Sequence, residues 1–596
     1  MDKVAKADLL VELSWEVCNK VGGIHTVLVS KAVLMQQYYP NYLCIGPYIR
    51  SRAVYEYQQE PTPDDLQGVC EHLRLQGIIV HYGHWRIKGE PKVMLLEFNG
   101  LIPTKDQLKT WFWERFGVDS LGSGWDFEEP LLWSWACSLL IEGLTKDSYQ
   151  DKKIVTQHHE WMAGLSLLAL KGRDVPVATV FTTHATMLGR SIAGHGEDIY
   201  SIIDHINPEE KAKELGVYNK HSTERSCAQN ADVFTTVSEI TGYEAEKFFG
   251  RKPDVLTLNG LDIQRFPTIE ETSIKHVTNR DRLREYMMYH FFPHYHNFDL
   301  DHNIIMCIAG RYEYGNKGVD LFIEALARLN EELKSQDSNR TVTVFFWMMS
   351  VGQNPKAQIL ENKNYFRHIK NYVQWHSQDI LSKVVKHFIT SDDPAEENVY
   401  SKEFMETMKN DVLHFRRDGN PLVSAFNLYN EEYDPMMNDL RRVGLDNGED
   451  DRVKVVAYPV FLDGNDGLLD LSYFDALSGC HFAVFPSYYE PWGYTPLEAA
   501  ALGVPTVTTD AAGFGRFIKP ELTDKNPGIY LVDRCGKSRE AVIDQLHKTL
   551  SNFAKLHHTE RVQNKINAKQ ASQLADWANF IKYYVKAHNL ALEKHK

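Results

Sequence analysis

Residues 481–515, HFAVFPSYYEPWGYTPLEAAALGVPTVTTDAAGFG, leave this chain few folds to choose from. The pattern predicts a short buried strand over 481–486, then a helix over 497–502 stopped by Gly503 and Pro505. A β-branched strand follows over 504–508. Strand, short helix and strand form the repeating unit of a doubly wound parallel sheet, so the class is α/β. Such sheets bind ligands beyond the carboxyl ends of their strands, where 487–495 (SYYEPWGYT) falls.

Two carboxylates, Glu490 and Glu498, belong to that loop and the helix it enters. Thr495-Pro496-Leu497-Glu498 has the form of a capping box with proline at the first helical position. Glu498 therefore reads equally well as a cap or as a ligand contact. Glu490 stands between Tyr489 and Pro491 and has no helix to cap. A helix N-terminus beside it, after Gly493 and Thr495, would receive an anion well. The local expectation is a phosphate-bearing ligand with a carboxylate near its reacting carbon.

Other segments carry chemistry of the same kind. A strand over 8–14 leads to Lys20-Val21-Gly22-Gly23 and a helix, an arrangement that lets backbone N–H groups approach an anion, although a lone glycine pair is more often only a turn. A strand over 303–309 leads into GRYEYGNKG (310–318), where Arg311 and Lys317 offer a forked and a compact cation to a diphosphate. His184 follows a buried strand over 177–183. His158-His159-Glu160 invites a metal, but neighbours on a strand end point to opposite faces, so no metal is expected there. Pro293 argues against a helix through 269–301.

At 596 residues the chain is long enough for two domains, and its 43% hydrophobic and 24% charged content is that of a globular protein. A net charge of −15 argues against nucleic acid as a partner. Eight cysteines without CxxC pairs suggest reduced thiols in the cytoplasm, and neither a signal peptide nor a membrane span is expected. Residues 355–447 are long, polar and mostly helical, and break the strand–helix alternation.

EPWGYTPLE (490–498) resembles the E-x7-E element of retaining GT-B glycosyltransferases. With its flanks, FPSYYEPWGYTP, it is similar to the glycogen synthases of animals and fungi. NKVGGI, HEWMAG, FTTHATMLGR and AGRYEYGNKG extend the resemblance over nearly the whole chain. It implies two Rossmann-like domains facing across a cleft. Residues 1–270 would form the acceptor-side domain, with the helix 577–596 packing back on it. Residues 271–576 would form the nucleotide-sugar domain, with 355–447 as a helical insertion for homo-oligomers, such as a tetramer.

The implied reaction moves glucose from UDP-glucose to the 4-hydroxyl at the non-reducing end of an α-1,4-glucan, with retention and without a metal or other cofactor. His184, Arg311, Lys317 and Glu490 would be catalytic. Lys20, Gly22, Gly23, Arg190, Tyr473, Tyr494, Thr495 and Glu498 would hold the donor, and Glu160 the acceptor. Tyr473 would stack on the uracil or be a core residue. The family's arginine cluster for glucose-6-phosphate is reduced here to Arg561, Lys565 and Lys569. These lie four apart on one helix face, which a solvated surface explains better than a weak anion site, so activation by a sugar phosphate is not expected.

Overall fold

The computed structural model describes residues 4–294, 299–336, 339–350, 352–390, 400–522 and 526–595. The first sheet has nine strands: β1 (Leu9–Leu13), β2 (Tyr42–Pro47), β3 (Tyr57–Gln59), β4 (Ile79–Trp85), β5 (Lys92–Glu97), β6 (Ile154–His159), β7 (Ala178–Thr183), β8 (Val233–Thr236) and β9 (Val255–Leu256). Their order is β3-β4-β5-β2-β1-β6-β7-β8-β9. All neighbours run parallel except β3–β4 and β4–β5.

Strand alternation sorts β1 between two apolar layers. Leu9, Val11 and Leu13 join Leu131, Ala136 and Leu140 of the helix Trp125–Lys146 on one face. Leu10 joins Leu28 and Met35 of the helix Gly23–Tyr38, together with Ile581 and Val585, on the other. Glu12 shares the Leu10 face, where an ionised carboxylate needs partners of its own.

The second sheet is wholly parallel and contains β10 (Asn303–Arg311), β11 (Thr341–Met349), β14 (Val453–Ala457), β15 (Phe482–Val484), β16 (Thr506–Thr509) and β17 (Ile529–Val532). Its order, β14-β11-β10-β15-β16-β17, is 3-2-1-4-5-6 within the sheet, the Rossmann winding whose reversal lies between the first and fourth strands. The Arg311 loop follows β10 and the Glu490 loop follows β15, so both sit at that reversal. A two-stranded ribbon, β12 (Gly352–Pro355) with β13 (Phe426–Leu428), brackets the insertion. The insertion also carries the helices Ala357–Trp375, Ser377–Thr390 and Lys402–Phe415, and Pro435–Arg442 follows.

The segment after Gly260 differs from expectation. A 23-residue helix, Ile269–Phe291, begins at a capping box in which Thr268 and Glu271 satisfy each other's backbone N–H groups. It ends just before Pro293, so the proline stops the helix rather than preventing it. The last helix, Trp577–Lys594, lies against the first sheet. Trp577 Nε1 donates to Ser30 Oγ at 2.7 Å, Tyr39 Oη and His588 Nδ1 are 2.7 Å apart, and Lys594 pairs with Asp254 at 2.6 Å.

Candidate active site

Lys317 and Glu490, far apart in sequence, meet at 2.6 Å, each about four-fifths buried. Backbone geometry enforces the meeting. Gly318 has φ +68, and a Cβ there would stand 2.1 Å from the Pro486 carbonyl oxygen, so only glycine lets this loop approach the end of β15. The Tyr488 N–H donates to the Asn316 carbonyl at 2.8 Å and joins the two loops directly. Glu490 is further held by its carbonyl, which accepts the Gly513 N–H at 3.0 Å.

Arg311 is exposed at the end of β10, with Glu313 3.2 Å away. Burial would raise Glu313, but the Asn316 hydrogen bond and the charges of Lys317, Arg311 and Arg190 hold it below the usual carboxylate range. Arg190 belongs to the first half of the chain, on the helix Met187–Gly194. Its charge is felt at Glu313, so this helix of the first half lies near the Arg311–Lys317 loop.

Thr495 is the second residue of the helix Tyr494–Ala501, whose N-cap is Gly493 at φ +108 with no side-chain cap. The helix therefore starts earlier than the capping-box pattern requires, and Glu498 does not cap it. Its carboxylate instead accepts the Tyr473 hydroxyl at 3.4 Å, and burial pushes it up to about 7 against that bond. The two expected nucleoside contacts are thus neighbours. The Tyr494 hydroxyl donates to the Gly260 carbonyl at 3.2 Å, so it ties the two halves of the chain together.

The glycine loop holds a residue that the sequence reading missed. Glu16 Oε2 accepts the N–H of Gly22 at 2.8 Å and of His25 at 2.9 Å, so an internal carboxylate takes donors expected to face a diphosphate. Gly23 and Lys20 are exposed at the loop tip.

His184 closes β7 and is nearly buried. Three buried glutamates hold the turn that starts there. Glu160 Oε1 accepts the N–H groups of His184 (2.7 Å) and Ala185 (3.1 Å). Glu244 accepts the Thr186 hydroxyl at 2.8 Å, and Glu224 accepts the Met187 N–H at 3.0 Å. Glu160 sits at φ +66, a strained conformation for a non-glycine residue, and burial pushes its carboxyl up to about 7. Glu244 reaches further, accepting the Tyr489 hydroxyl at 3.2 Å from beside Glu490.

His158 and His159 do point to opposite faces. His158 bonds to Ser166 Oγ and Thr156 Oγ1, while His159 bonds to His184 and Glu12. Among the described residues no three His, Cys, Asp or Glu side chains converge to hold a metal ion.

Arg561, Lys565 and Lys569 are not a solvated face. Lys569 donates to the Ala501 carbonyl at 2.8 Å. Burial, with Arg280 and Arg561 alongside, pushes Lys565 down to about 7. His276 and His481 lie edge to face nearby, and Arg280 Nη1 approaches His276 Nε2 at 3.4 Å. The missed helix Ile269–Phe291 supplies Arg280, which with Arg561 and Lys565 forms a basic cluster, and His276, which lines it beside His481, both imidazoles held neutral by burial.

Comparison with known proteins decides the family. A model described as glycogen synthase matches residues 12–596. The chain belongs to the glycogen synthase family. It is 36% identical over 589 residues to the liver glycogen [starch] synthase of Rattus norvegicus, covering 98% of this chain and 83% of the rat protein. It is 35% identical over 613 residues to glycogen [starch] synthase isoform 1 of Saccharomyces cerevisiae, covering 98% and 86%. The catalytic domain of Arabidopsis thaliana starch synthase IV, solved with ADP and acarbose, superposes with a TM-score of 0.52 at 14% identity, covering 99% of this chain and all of that one. That likeness concerns the fold alone, and the fold is GT-B. As a member of that family the chain is a glycosyltransferase, and no helix among its described residues is long and apolar enough to cross a membrane.

Proposed function

We propose that this glycogen synthase transfers glucose from UDP-glucose to the 4-hydroxyl at the non-reducing end of an α-1,4-glucan, retaining the anomeric configuration. The observation that carries the reading is the contact of Lys317 with Glu490. In a sugar nucleotide the anomeric carbon is two bonds from the β-phosphorus. A cation for that phosphate and a carboxylate for that carbon must therefore be neighbours.

Departure of UDP adds negative charge to the diphosphate, and cations fixed beforehand stabilise it more in the transition state than before it. Lys317 and Arg311 take that role, with Arg190, Lys20, the glycine loop, Thr495 and the helix N-terminus beside them. With these cations neutralising the diphosphate, the reaction needs no metal. Glu490 faces the oxocarbenium-like carbon, and the acceptor returns on the side from which UDP leaves. Tyr473 and Glu498 take the nucleoside, His184 the transferring sugar, and Glu160 holds the acceptor-side turn that presents His184.

The cluster of Arg280, His276, His481, Arg561 and Lys565 takes a sugar phosphate such as glucose-6-phosphate as an effector. The enzyme acts in the cytoplasm as a homo-oligomer, such as a tetramer. The exposed apolar side chains Trp375, Phe388, Ile389 and Leu413 on the insertion helices support association through that element. The test is transfer of labelled glucose to glycogen from UDP-glucose and from ADP-glucose, each with and without glucose-6-phosphate. Transfer from ADP-glucose but not UDP-glucose would overturn the donor assignment.

A further inference from the structure

Behind His184 runs a chain of buried polar groups that the chemistry above does not use. Glu12, in the middle of apolar β1, accepts from Lys31 and from the Tyr42 hydroxyl. His159 Nε2 lies 2.7 Å from the same Glu12 oxygen that Lys31 holds, and His159 Nδ1 lies 2.8 Å from His184 Nε2. Glu12, Lys31 and His159 are all essentially inaccessible to solvent. The last helix closes the group from above, with Lys31 Nζ 4.5 Å from the ring centre of Tyr584.

The protonation pattern follows from these contacts. Burial would raise Glu12, but the charge of Lys31 and the bond from His159 hold it well below the usual carboxylate range, so it is an acceptor only. Burial depresses both imidazoles, so each is neutral and carries one ring proton. Because Glu12 can only accept, His159 spends its proton at Nε2 and is left with a bare Nδ1. That atom has a partner only if His184 donates from Nε2. The Nδ1 of His184, on the other side of its ring, is then an acceptor.

We propose that Glu12, clamped by Lys31, is a positioning residue that acts through His159 to fix His184 as the Nε2–H tautomer, presenting Nδ1 to a hydroxyl of the transferring sugar. The inference rests on the proposed glucosyl donor for its second half, and on ring nitrogens alone for its first. A buried pair costs little to replace whole but much to break, so the pair serves orientation rather than net stability.

The test uses the full chain with 15N-labelled histidine, the His184 signals being those lost in His184→Asn. The parent should show a protonated Nε2 and an unprotonated Nδ1. His159→Leu removes the link and should give a mixture of tautomers. His159→Gln, whose amide offers a donor to Glu12 and an acceptor to His184, should restore the parent pattern. Glu12→Leu with Lys31→Met, an apolar replacement of the pair that leaves His159 Nε2 no acceptor at position 12, provides a second break should the His159→Leu variant fail to fold. A proton on Nδ1 in the parent, or an unchanged His184 in both breaks, overturns the proposal.

In transfer assays His159→Leu should lower kcat/KM roughly tenfold, about one hydrogen bond, and His159→Gln should recover most of that loss. Across a set of monodeoxyglucosyl donors, the gap between parent and His159→Leu should close for the one lacking the hydroxyl that His184 accepts from. A gap of the same size for every donor overturns the second half of the proposal. If the parent transfers nothing from UDP-glucose, the donor assignment falls, and the ring-nitrogen signals still decide the relay.

Discussion

Removing the charge of Lys317 tests the catalytic reading most directly. Lys317→Met keeps most of the side-chain volume and deletes the cation that lies 2.6 Å from Glu490 in a site about four-fifths buried. Two unit charges about 4 Å apart interact by about 4 kcal/mol at the effective dielectric of a partly dried site. Leaving-group departure places close to one extra negative charge on the diphosphate. The variant should therefore lose up to about 4 kcal/mol of transition-state stabilisation, a fall in kcat of about 10³. Stability should change far less, by about 1 kcal/mol for a partly accessible ion pair.

Lys317→Arg should recover only part of the rate. A planar guanidinium on a longer stem does not place its charge where the compact ammonium stands, 2.6 Å from Glu490. The assay is initial-rate transfer of labelled glucose to glycogen at saturating donor, with thermal unfolding followed in parallel. A kcat within tenfold of the parent in Lys317→Met, with the melting temperature unchanged, would refute the assignment of Lys317 to the leaving group.

Glu490→Gln, nearly the same shape without the charge, should lower kcat by about 100-fold or more while leaving the fold intact; a near-normal rate would remove Glu490 from the catalytic residues. Stability should fall as pH drops below about 6.5. His158, His184, His276, His290, His481 and His588 are depressed by burial, so the unfolded chain takes up protons there that the folded chain refuses. Glu160, Glu244 and Glu498, pushed up to about 7, work the other way but are fewer. Each unbalanced proton contributes about 1.4 kcal/mol per pH unit, and urea titrations from pH 5 to 7.5 measure the slope. Glucose-6-phosphate should raise the melting temperature, and Lys565→Met should abolish the rise; an equal rise in both would place the anion elsewhere. Trp577→Ala should cost about 3–5 kcal/mol, read as a lower denaturation midpoint.

The two sheets and the loops at their carboxyl ends were legible in the sequence because strand periodicity and glycine placement are local signals. Lys317 and Glu490 were legible for the same reason, each standing in a loop of unusual composition. What escaped was long-range pairing. Glu224 and Glu244 sit in helices whose sequences, TERSC and YEAEKFF, look like ordinary polar faces, and only the tertiary structure brings them to the His184 turn. Glu16 belongs to no motif, and only the folded loop brings its carboxylate to the N–H groups of Gly22 and His25. Glu12 and Lys31 did leave a trace, a lone charge in the strand LLVEL and another in the helical run VLVSKAVLM. Opposite charges stranded in apolar segments are a fair signal of a buried pair. The helix Ile269–Phe291 was obscured by reading Pro293 as an interior breaker, and the approach of His276 and Arg280 to His481 and Lys565 was hidden with it.

The final helix has a consequence for how the molecule is made. Trp577 lies against Gly260, where a Cβ would come within 2.6 Å of its ring, and Tyr584 roofs the Lys31 charge. The half of the protein that a ribosome produces first therefore keeps an open flank until residues 577–594 have been translated. A chain released before that helix was made would carry in β1 a charged cluster with no lid, a ready target for chaperones and proteases.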